Sequence, residues 1–272
     1  LSRKRNHSQH LNFLKNQTGN YTPKAIIITY FYNKKMSFLN AEWRKLAIAN
    51  YLIHPNVLNK YVPLGTELDL WEGKCYVSLI GFMFLNVKIL GIKVPFHINF
   101  EEVNLRFYVK RFENNTWKRG VVFVKEIVPK PALTFVANTL YKEHYETLPM
   151  RHEWKEHATN RTVEYQWKKN TQWQSFKITA DIDSSEIPAD SETEFITEHY
   201  WGYAKVNEKT TNEYEVTHPK WRQYEVLTSE IKVDFKAVYG EDFEFLNDLT
   251  PTSVMLAEGS EITVEGKKTI KG

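Results

Sequence analysis

Residues 74–85, Lys-Cys-Tyr-Val-Ser-Leu-Ile-Gly-Phe-Met-Phe-Leu, are almost continuously apolar. The stretch is too short for a transmembrane helix, which needs about 20 apolar residues, and it predicts a strand buried on both faces. Two related stretches follow it. Residues 103–110 alternate apolar and polar side chains with a period of two, and residues 120–128 are again apolar on both faces. Together they predict the core of a β-sheet.

The rest of the chain predicts short strands separated by turns and a few helices. Residues 42–53 fit either a helix with an apolar stripe or a buried strand. Pro131 fits the first turn of a helix that reaches about Tyr145. Ser191 and Glu194 form a capping box before a short helix. Further strands are predicted near residues 150–158, 161–168, 172–180, 198–206, 212–217, 223–238 and 260–265.

This pattern decides the fold class that we expect. We predict an α+β protein, mainly antiparallel β, with a few helices, one of them central. No repeat, low-complexity tract or linker divides residues 36–272, so these residues are expected to form a single domain. The chain is 42% hydrophobic and 25% charged, which is close to the globular average and argues against a disordered chain.

Charge is unevenly distributed along the chain. Residues 1–35 contain seven Lys and Arg and no Asp or Glu, whereas the remainder has 29 basic and 33 acidic residues, a net charge of −4. Affinity for phosphate backbones is mostly electrostatic, so we expect no nucleic-acid binding. The first Met is Met36, and residues 1–35 are interpreted as a mis-assigned start, a disordered basic arm or a targeting peptide. Within them, residues 25–32 are apolar enough for one strand.

Several protein classes lack support in the sequence. The single cysteine, Cys75, excludes an intrachain disulfide and favours a reducing cytoplasm. No stretch suits a membrane span. The motifs G-x-G-x-x-G, Walker A, G-x-S-x-G and H-E-x-x-H are absent, and His152 and His157 would lie on opposite faces of a strand. We therefore expect no cofactor and no metal site, and leave a homo-oligomer open.

The strongest candidate site is the polar half of the alternating stretch. Asn104, Arg106 and Tyr108 share one face of the predicted strand, because neighbouring side chains point to opposite faces. Arg offers a planar fork for a carboxylate, and Asn and Tyr add hydrogen bonds. This set predicts binding of an anion or a carbonyl group. The alternative is a solvated outer face with cross-strand partners.

Two adjacent charges end the last apolar stretch. Lys125 and Glu126 would point to opposite faces of their strand, so only one of them could face a cavity. Burial would perturb the pKa of whichever is inside, because burial disfavours the charged form. The pair is therefore the candidate catalytic position. The alternative is that the strand emerges into solvent there.

Two further groups of aromatic and polar residues are weaker candidates. Lys142 is expected to face water, whereas Tyr141, His144 and Tyr145 are expected to reach the interior; we include Tyr145 among the ligand-binding candidates.

The second group is a turn-like segment before a predicted strand. His218 and Trp221 could line a pocket mouth, or they could form a Pro-fixed turn covered by the Trp ring.

Several segments resemble the YqjF-like family of bacterial domains of unknown function. They are Trp43 and residues 62–65, 69–74, 102–109, 120–123, 195–200, 218–221 and 253–259. The resemblance extends over residues 38–266 and rests on the order and spacing of these segments. It implies the acetoacetate-decarboxylase-like fold, a largely antiparallel β-barrel or sheet around a central cavity, but it does not fix an activity.

The sequence also differs in one respect from the acetoacetate decarboxylases to which the resemblance points. Enzymes of that class form a Schiff base on a Lys whose pKa is lowered by its surroundings. The adjacent lysine pair that follows Pro in those enzymes has no counterpart, because Lys34-Lys35, Lys168-Lys169 and Lys267-Lys268 lie elsewhere.

Three functional hypotheses follow. The leading one is a cavity that binds a small carbonyl or carboxylate compound through Asn104, Arg106 and Tyr108, with Lys125 or Glu126 as the titrating group. The second is a Schiff-base lyase or hydratase acting on keto acids. The third is a structural or interaction module, which a cavity filled by Trp and Phe side chains would favour.

Overall fold

The computed structural model describes residues 37–272, and the predictions for residues 1–35, including the strand at 25–32, lie outside these residues. The described strands are β1 (Leu39–Leu52), β2 (Glu67–Leu68), β3 (Tyr76–Ile89), β4 (Phe100–Glu113), β5 (Thr116–Val128), β6 (Tyr145–Thr147), β7 (Met150–Glu156), β8 (Asn160–Lys169), β9 (Gln172–Glu186), β10 (Trp201–Asn207), β11 (Thr210–Thr217), β12 (Arg222–Lys232), β13 (Ser253–Val264) and β14 (Lys268–Lys271). The α-helices are α1 (Pro131–Val136), α2 (Glu192–Thr197) and α3 (Phe235–Tyr239). A π-helix spans Ala137–Tyr141, and 3₁₀ helices span Pro55–Val57 and Glu241–Asp248.

The central strands close into a ring. The neighbour order is β11-β10-β5-β4-β3-β1-β13, and β13 pairs again with β11 through Val216↔Val264 and Thr217↔Thr263. Every pairing in the ring is antiparallel except β10 with β5. A closed ring has no exposed strand edge and encloses an interior. The prediction of a mainly antiparallel α+β fold around a central cavity is confirmed.

A second layer covers one outer side of the ring. Strands β12, β9, β8 and β7 continue from β13 and fold back over the outward-facing side chains of β1, β3 and β4. Tyr165, Trp167 and Phe176 are fully buried in this core. Gly81 of β3 permits the close approach, because a Cβ there would lie 2.7 Å from the Tyr165 ring. This outer core is apolar and closed.

Several predicted boundaries were wrong. The helix beginning at Pro131 does not reach Tyr145: it continues as the π-helix and ends where Lys142 takes a left-handed conformation, with φ of 64°. Residues 233–238 leave the strand because Asp234 caps α3, accepting a hydrogen bond from the backbone N–H of Ala237.

Other boundaries were resolved or extended. Residues 42–53 lie in strand β1 apart from the last residue, and β13 begins at Ser253 instead of residue 260. The capping box is confirmed, since the Ser191 hydroxyl accepts from the Glu194 N–H. Within residues 37–272, no helix is long and apolar enough to cross a membrane.

Candidate functional site

A cavity of about 270 Å³ lies inside the strand ring. Its walls are mostly apolar and come from inward-facing positions of β1, β3, β5, β11 and β13. Val94 and His97, from the loop after β3, and Leu133 and Val136 of α1 also line it. The cavity is not filled by Trp and Phe side chains, which was the condition that favoured a structural module. It can take a small, largely apolar molecule.

One cavity wall is polar, and it is built by alternate residues of β4. Glu102, Asn104 and Arg106 line the cavity, while Val103, Leu105 and Phe107 point outward into the closed core. The alternation places the three polar side chains on one face of the strand. All three are buried, so they form part of an enclosed site and not of a solvated outer face.

A β-bulge decides which of Lys125 and Glu126 enters the cavity. In the β4–β5 register, Leu105 pairs with Lys125 and Arg106 pairs with Phe123, so Val124 is an extra residue. The bulge turns Lys125 away from the face that Phe123 occupies.

The two charged residues therefore have different surroundings. The Lys125 ammonium bonds the Glu146 carboxylate at 3.0 Å and the Val238 carbonyl outside the cavity. Glu126 lines the cavity, and Asn104 is its direct cross-strand neighbour.

Three buried carboxyl groups meet in the cavity. Burial raises the pKa of Glu102 to about 7, although hydrogen bonds from Asn104 at 3.0 Å and Tyr145 at 3.1 Å lower it. Burial also raises the pKa of Glu143 to about 7, against a 2.7 Å hydrogen bond from Tyr214. For Glu126, burial and then its two carboxyl neighbours raise the pKa well above its ordinary value. Glu102 and Glu143, with pKa values of about 7, are therefore partly protonated near neutral pH.

Glu143 enters the cluster through an irregular turn. It follows the π-helix and the left-handed Lys142, and the Tyr141 carbonyl is held by the Asn212 side-chain amide at 2.8 Å. Tyr214 reaches Glu143 across Gly202, where a Cβ would lie 2.1 Å from the Tyr214 ring. Glu143 is thus positioned by residues distant from it in sequence.

Arg106 is the cation of the polar wall. Its side chain is buried and lines the cavity, and its Nη2 donates to the Ile196 carbonyl at 3.2 Å. Its Nε has no hydrogen-bond partner within residues 37–272. Tyr108 shares its strand face and is buried, with its hydroxyl 2.7 Å from that of Ser78, but it is not among the cavity-lining residues.

A buried histidine stands beside this wall. His199 lines the cavity, and its Nε2 lies 3.2 Å from Asp69, which also accepts from Arg119 at 2.6 Å. Burial lowers the pKa of His199 to about 4, so the ring is neutral and donates its Nε2–H to Asp69. Burial raises the pKa of Asp69, but hydrogen bonds from His199 and Arg119 outweigh it and lower the value overall. The Nδ1 of His199 has no partner in the described chain.

The remaining predicted residues line the cavity or lie at the surface. His218 stacks on Trp221 with ring centroids 4.3 Å apart, and both line the cavity, as does Tyr145. Trp221 donates to the Ser260 hydroxyl at 2.9 Å. Lys142 is exposed as expected, but His144 is exposed too, because the left-handed turn breaks the helical stripe on which it was expected to lie inside.

Three cavity-lining residues were not predicted as site residues from the sequence: Glu102, Glu143 and His199. Glu102 could have been found, since it precedes Asn104 by two residues and so shares its strand face. Glu143 and His199 had no such signal, because they arrive on a turn and on the segment after α2. Among residues 37–272, no cluster of three or more His, Cys, Asp or Glu is arranged to hold a metal ion.

Solved structures of acetoacetate-decarboxylase-like proteins have a similar fold. Acetoacetate decarboxylase from Legionella pneumophila has a TM-score of 0.58 at 10% identity, over 85% of this chain and 86% of that chain. The enduracididine biosynthesis enzyme MppR complexed with pyruvate has a TM-score of 0.59 at 11% identity, over 85% and 89%. An acetoacetate decarboxylase-like enzyme from Sphingomonas wittichii RW1 has a TM-score of 0.61 at 9% identity, over 87% and 94%. At these identities the likeness shows the fold alone.

The sequence comparison is more specific. The model of the DUF2071 family, described as an uncharacterized conserved protein, matches residues 40–261, and this chain belongs to that family. The uncharacterized protein YqjF of Bacillus subtilis strain 168 is 26% identical over 183 residues, which are 66% of this chain and 72% of that protein. The resemblance to the YqjF-like family is confirmed.

Proposed function

We propose that the cavity binds a small, largely apolar compound through a carbonyl or carboxylate oxygen. The observation that carries this proposal is the buried Nε–H of Arg106, which has no acceptor within the described residues. Leaving such a donor unpaired costs about 1–3 kcal/mol, more for a charged group. A ligand oxygen in the cavity would satisfy it. Asn104, two residues before Arg106 on β4, pairs with Glu126 on β5, and both also line the cavity.

The shape of the cavity limits the rest of the ligand. Apart from the polar wall, Glu126, Glu143 and a few other polar groups, the lining is aliphatic and aromatic. Small-molecule sites combine such walls with a few polar groups that fix orientation. The ligand is therefore an amphipathic carbonyl compound or acid with an apolar body. MppR, a structural neighbour, is complexed with pyruvate, a keto acid, which makes keto acids the first probes.

The Schiff-base alternative lacks an amine at this location. Among residues 37–272, no lysine lines the cavity. Lys125 bonds Glu146 outside it, and Lys142 is exposed. Imine formation requires the amine nitrogen to reach the ligand carbonyl. We therefore favour non-covalent binding for this cavity.

A ligand screen with paired variants tests the proposal. Keto acids, ketones and carboxylic acids of increasing apolar size are added to the protein, and thermal shift is followed by calorimetric affinity for the compounds that stabilise it. Arg106→Met removes the donor, and Lys125→Met removes a cation from the neighbouring strand outside the cavity. We expect Arg106→Met to weaken binding roughly 10- to 100-fold, with Lys125→Met unchanged. Equal affinity in both variants would contradict the proposal, as would an absence of binders.

A further inference from the structure

Glu126 holds an unused oxygen in the cavity. Its side chain is 2% exposed, and its Oε2 has no hydrogen-bond partner in residues 37–272. The facing Asn104 has an equally unpartnered Oδ1 and is 1% exposed. Buried carboxylate oxygens in proteins are normally hydrogen-bonded. An exception that lines a cavity therefore points to a group brought by a ligand.

Its two carboxyl neighbours are engaged differently. Glu102 accepts from both Asn104 and Tyr145, and Glu143 accepts from Tyr214. Both oxygens of Glu102 and the Oε1 of Glu143 thus already accept a hydrogen bond from a protein side chain. Glu126 lines the cavity with a fully buried oxygen that has no partner in residues 37–272, and it pairs with Asn104, which lies two residues before the donor Arg106 on β4.

We propose that the cavity catalyses enolisation of its bound carbonyl compound without a covalent intermediate, with Glu126 as the base. This inference rests on the proposed function. The Glu126 carboxylate takes a proton from the carbon next to the carbonyl, and the C–H electron pair becomes the C=C bond. The carbonyl π pair moves to oxygen, where the Arg106 Nε–H donates a hydrogen bond to it. Return of the proton from Glu126 to carbon regenerates the ketone, so no further reactant is consumed.

The surroundings of Glu126 suit this proton transfer. Burial and the nearby carboxyl groups raise its pKa, which makes its carboxylate a stronger base than an exposed glutamate. The lining is mostly apolar, so the charge of Arg106 acts on the developing enolate in surroundings of low polarity. The substrate class is thus an apolar ketone or keto acid that carries a hydrogen on the carbon beside its carbonyl.

Hydrogen exchange measures this step directly. The ligands found by thermal shift are incubated with the protein in D₂O, and proton NMR follows loss of the signal from the carbon beside the carbonyl. General base catalysis contributes about 100- to 10,000-fold, so we expect wild-type protein to exchange this hydrogen at least about 100-fold faster than buffer. Glu126→Gln should lose this acceleration while still binding the ligand.

A second glutamate variant, Glu146→Gln, controls for the loss of a negative charge and for effects on folding. Glu146 lies on β6 beside β5 but bonds Lys125 and Lys169 outside the cavity. Glu146→Gln should exchange at the wild-type rate. Ligand binding without exchange, or equal exchange in Glu126→Gln, would overturn this inference and leave the binding proposal standing. A lysine adduct after borohydride reduction would overturn the non-covalent route. Failure of every compound to bind would remove the proposed function itself.

Discussion

The two faces of strand β4 have opposite roles although their residues alternate in one chain segment. Val103, Leu105 and Phe107 face the outer layer and are completely buried in an apolar core. Arg106 and its inward-facing neighbours meet an open cavity and include buried polar atoms without partners. The outward face packs against the apolar side chains of the outer core, whereas the inward face borders a cavity that a ligand could fill.

This difference separates stability from binding. Close-packed apolar positions contribute to folding in proportion to the contacts they lose when shortened. Buried polar groups without partners cost stability, and a ligand that supplies the partner removes this cost. Substitutions on the outward face should therefore act mainly on unfolding, and those on the inward face mainly on ligand affinity.

The largest expected effect is on the outward face. Phe107→Ala should destabilise the protein by about 3–5 kcal/mol, because Phe107 is fully buried in the closed core. Phe123→Ala, on the cavity wall of β5, should cost less, since its ring already borders empty space. Urea unfolding of the two variants measures the difference. Equal losses would show that the two faces are equally packed.

A smaller loss of stability is expected at Gly202, where the Tyr214 ring packs directly against the glycine. Gly202→Ala would bring a Cβ within 2.1 Å of the Tyr214 ring and force it from Glu143. We expect a loss of about 1–3 kcal/mol in unfolding free energy together with weaker ligand binding. Gly266→Ala, where no atom lies within 4 Å of the added Cβ, is the control. If Gly202→Ala has the same unfolding free energy and ligand affinity as Gly266→Ala, neither property requires the packing of the Tyr214 ring against Gly202.

The carboxyl cluster should make stability depend on pH. The pKa of Glu143 is about 7 in the folded protein against an ordinary value of 4.5, so the unfolded chain releases this proton first. The contribution of Glu143 is therefore complete below pH 4.5 and is lost as pH rises towards 7. Glu143→Gln should flatten the fall of unfolding free energy over that interval, by on the order of 1 kcal/mol per pH unit.

Glu146 should contribute to the unfolding free energy with the opposite pH dependence, so it serves as the comparison. Burial raises its pKa, but hydrogen bonds from Lys169 and Lys125 lower it below the ordinary value overall. Its contribution is present above pH 4.5 and is lost only in more acidic solution. Glu146→Gln should therefore leave the slope between pH 5 and 7 unchanged. A flattened slope in this variant would mean that the pH dependence does not originate in the cavity.

The smallest effect is expected at an exposed lysine. Lys142→Gly should change ligand affinity by less than twofold, because the residue is exposed and is not among the residues that line the cavity. The left-handed φ of 64° at this position is one that glycine adopts readily, so stability should stay the same or rise slightly. Calorimetry and urea unfolding measure both quantities. A large loss of binding would assign Lys142 to the site.

Much of the architecture could be predicted from local pattern. The alternation at residues 103–110 and the apolar stretches beside it encode strands whose side-chain directions follow from geometry alone. That reasoning located Asn104 and Arg106 on the wall that borders the cavity. It also required Lys125 and Glu126 to separate, but it could not decide which one enters the cavity.

The undecided part depends on interactions between distant segments. The bulge at Val124 adds one residue to β5 without any compositional mark, and it alone orients Lys125 outward. Glu143 depends on a turn that Asn212 and Tyr214 hold from another strand. Such positions are set by tertiary contacts, so a single sequence carries no periodic signal for them.

The most direct test is the carbon-13 chemical shift of a bound carbonyl. The tightest ligand from the screen is labelled at its carbonyl carbon and observed free, bound to wild-type protein, and bound to Arg106→Met and Lys125→Met. Hydrogen bonding from the Arg106 Nε–H should move the bound signal downfield in wild-type protein and in Lys125→Met, and this shift should disappear in Arg106→Met. An identical bound shift in all three proteins would contradict the assignment of the inward face of β4 as the binding wall.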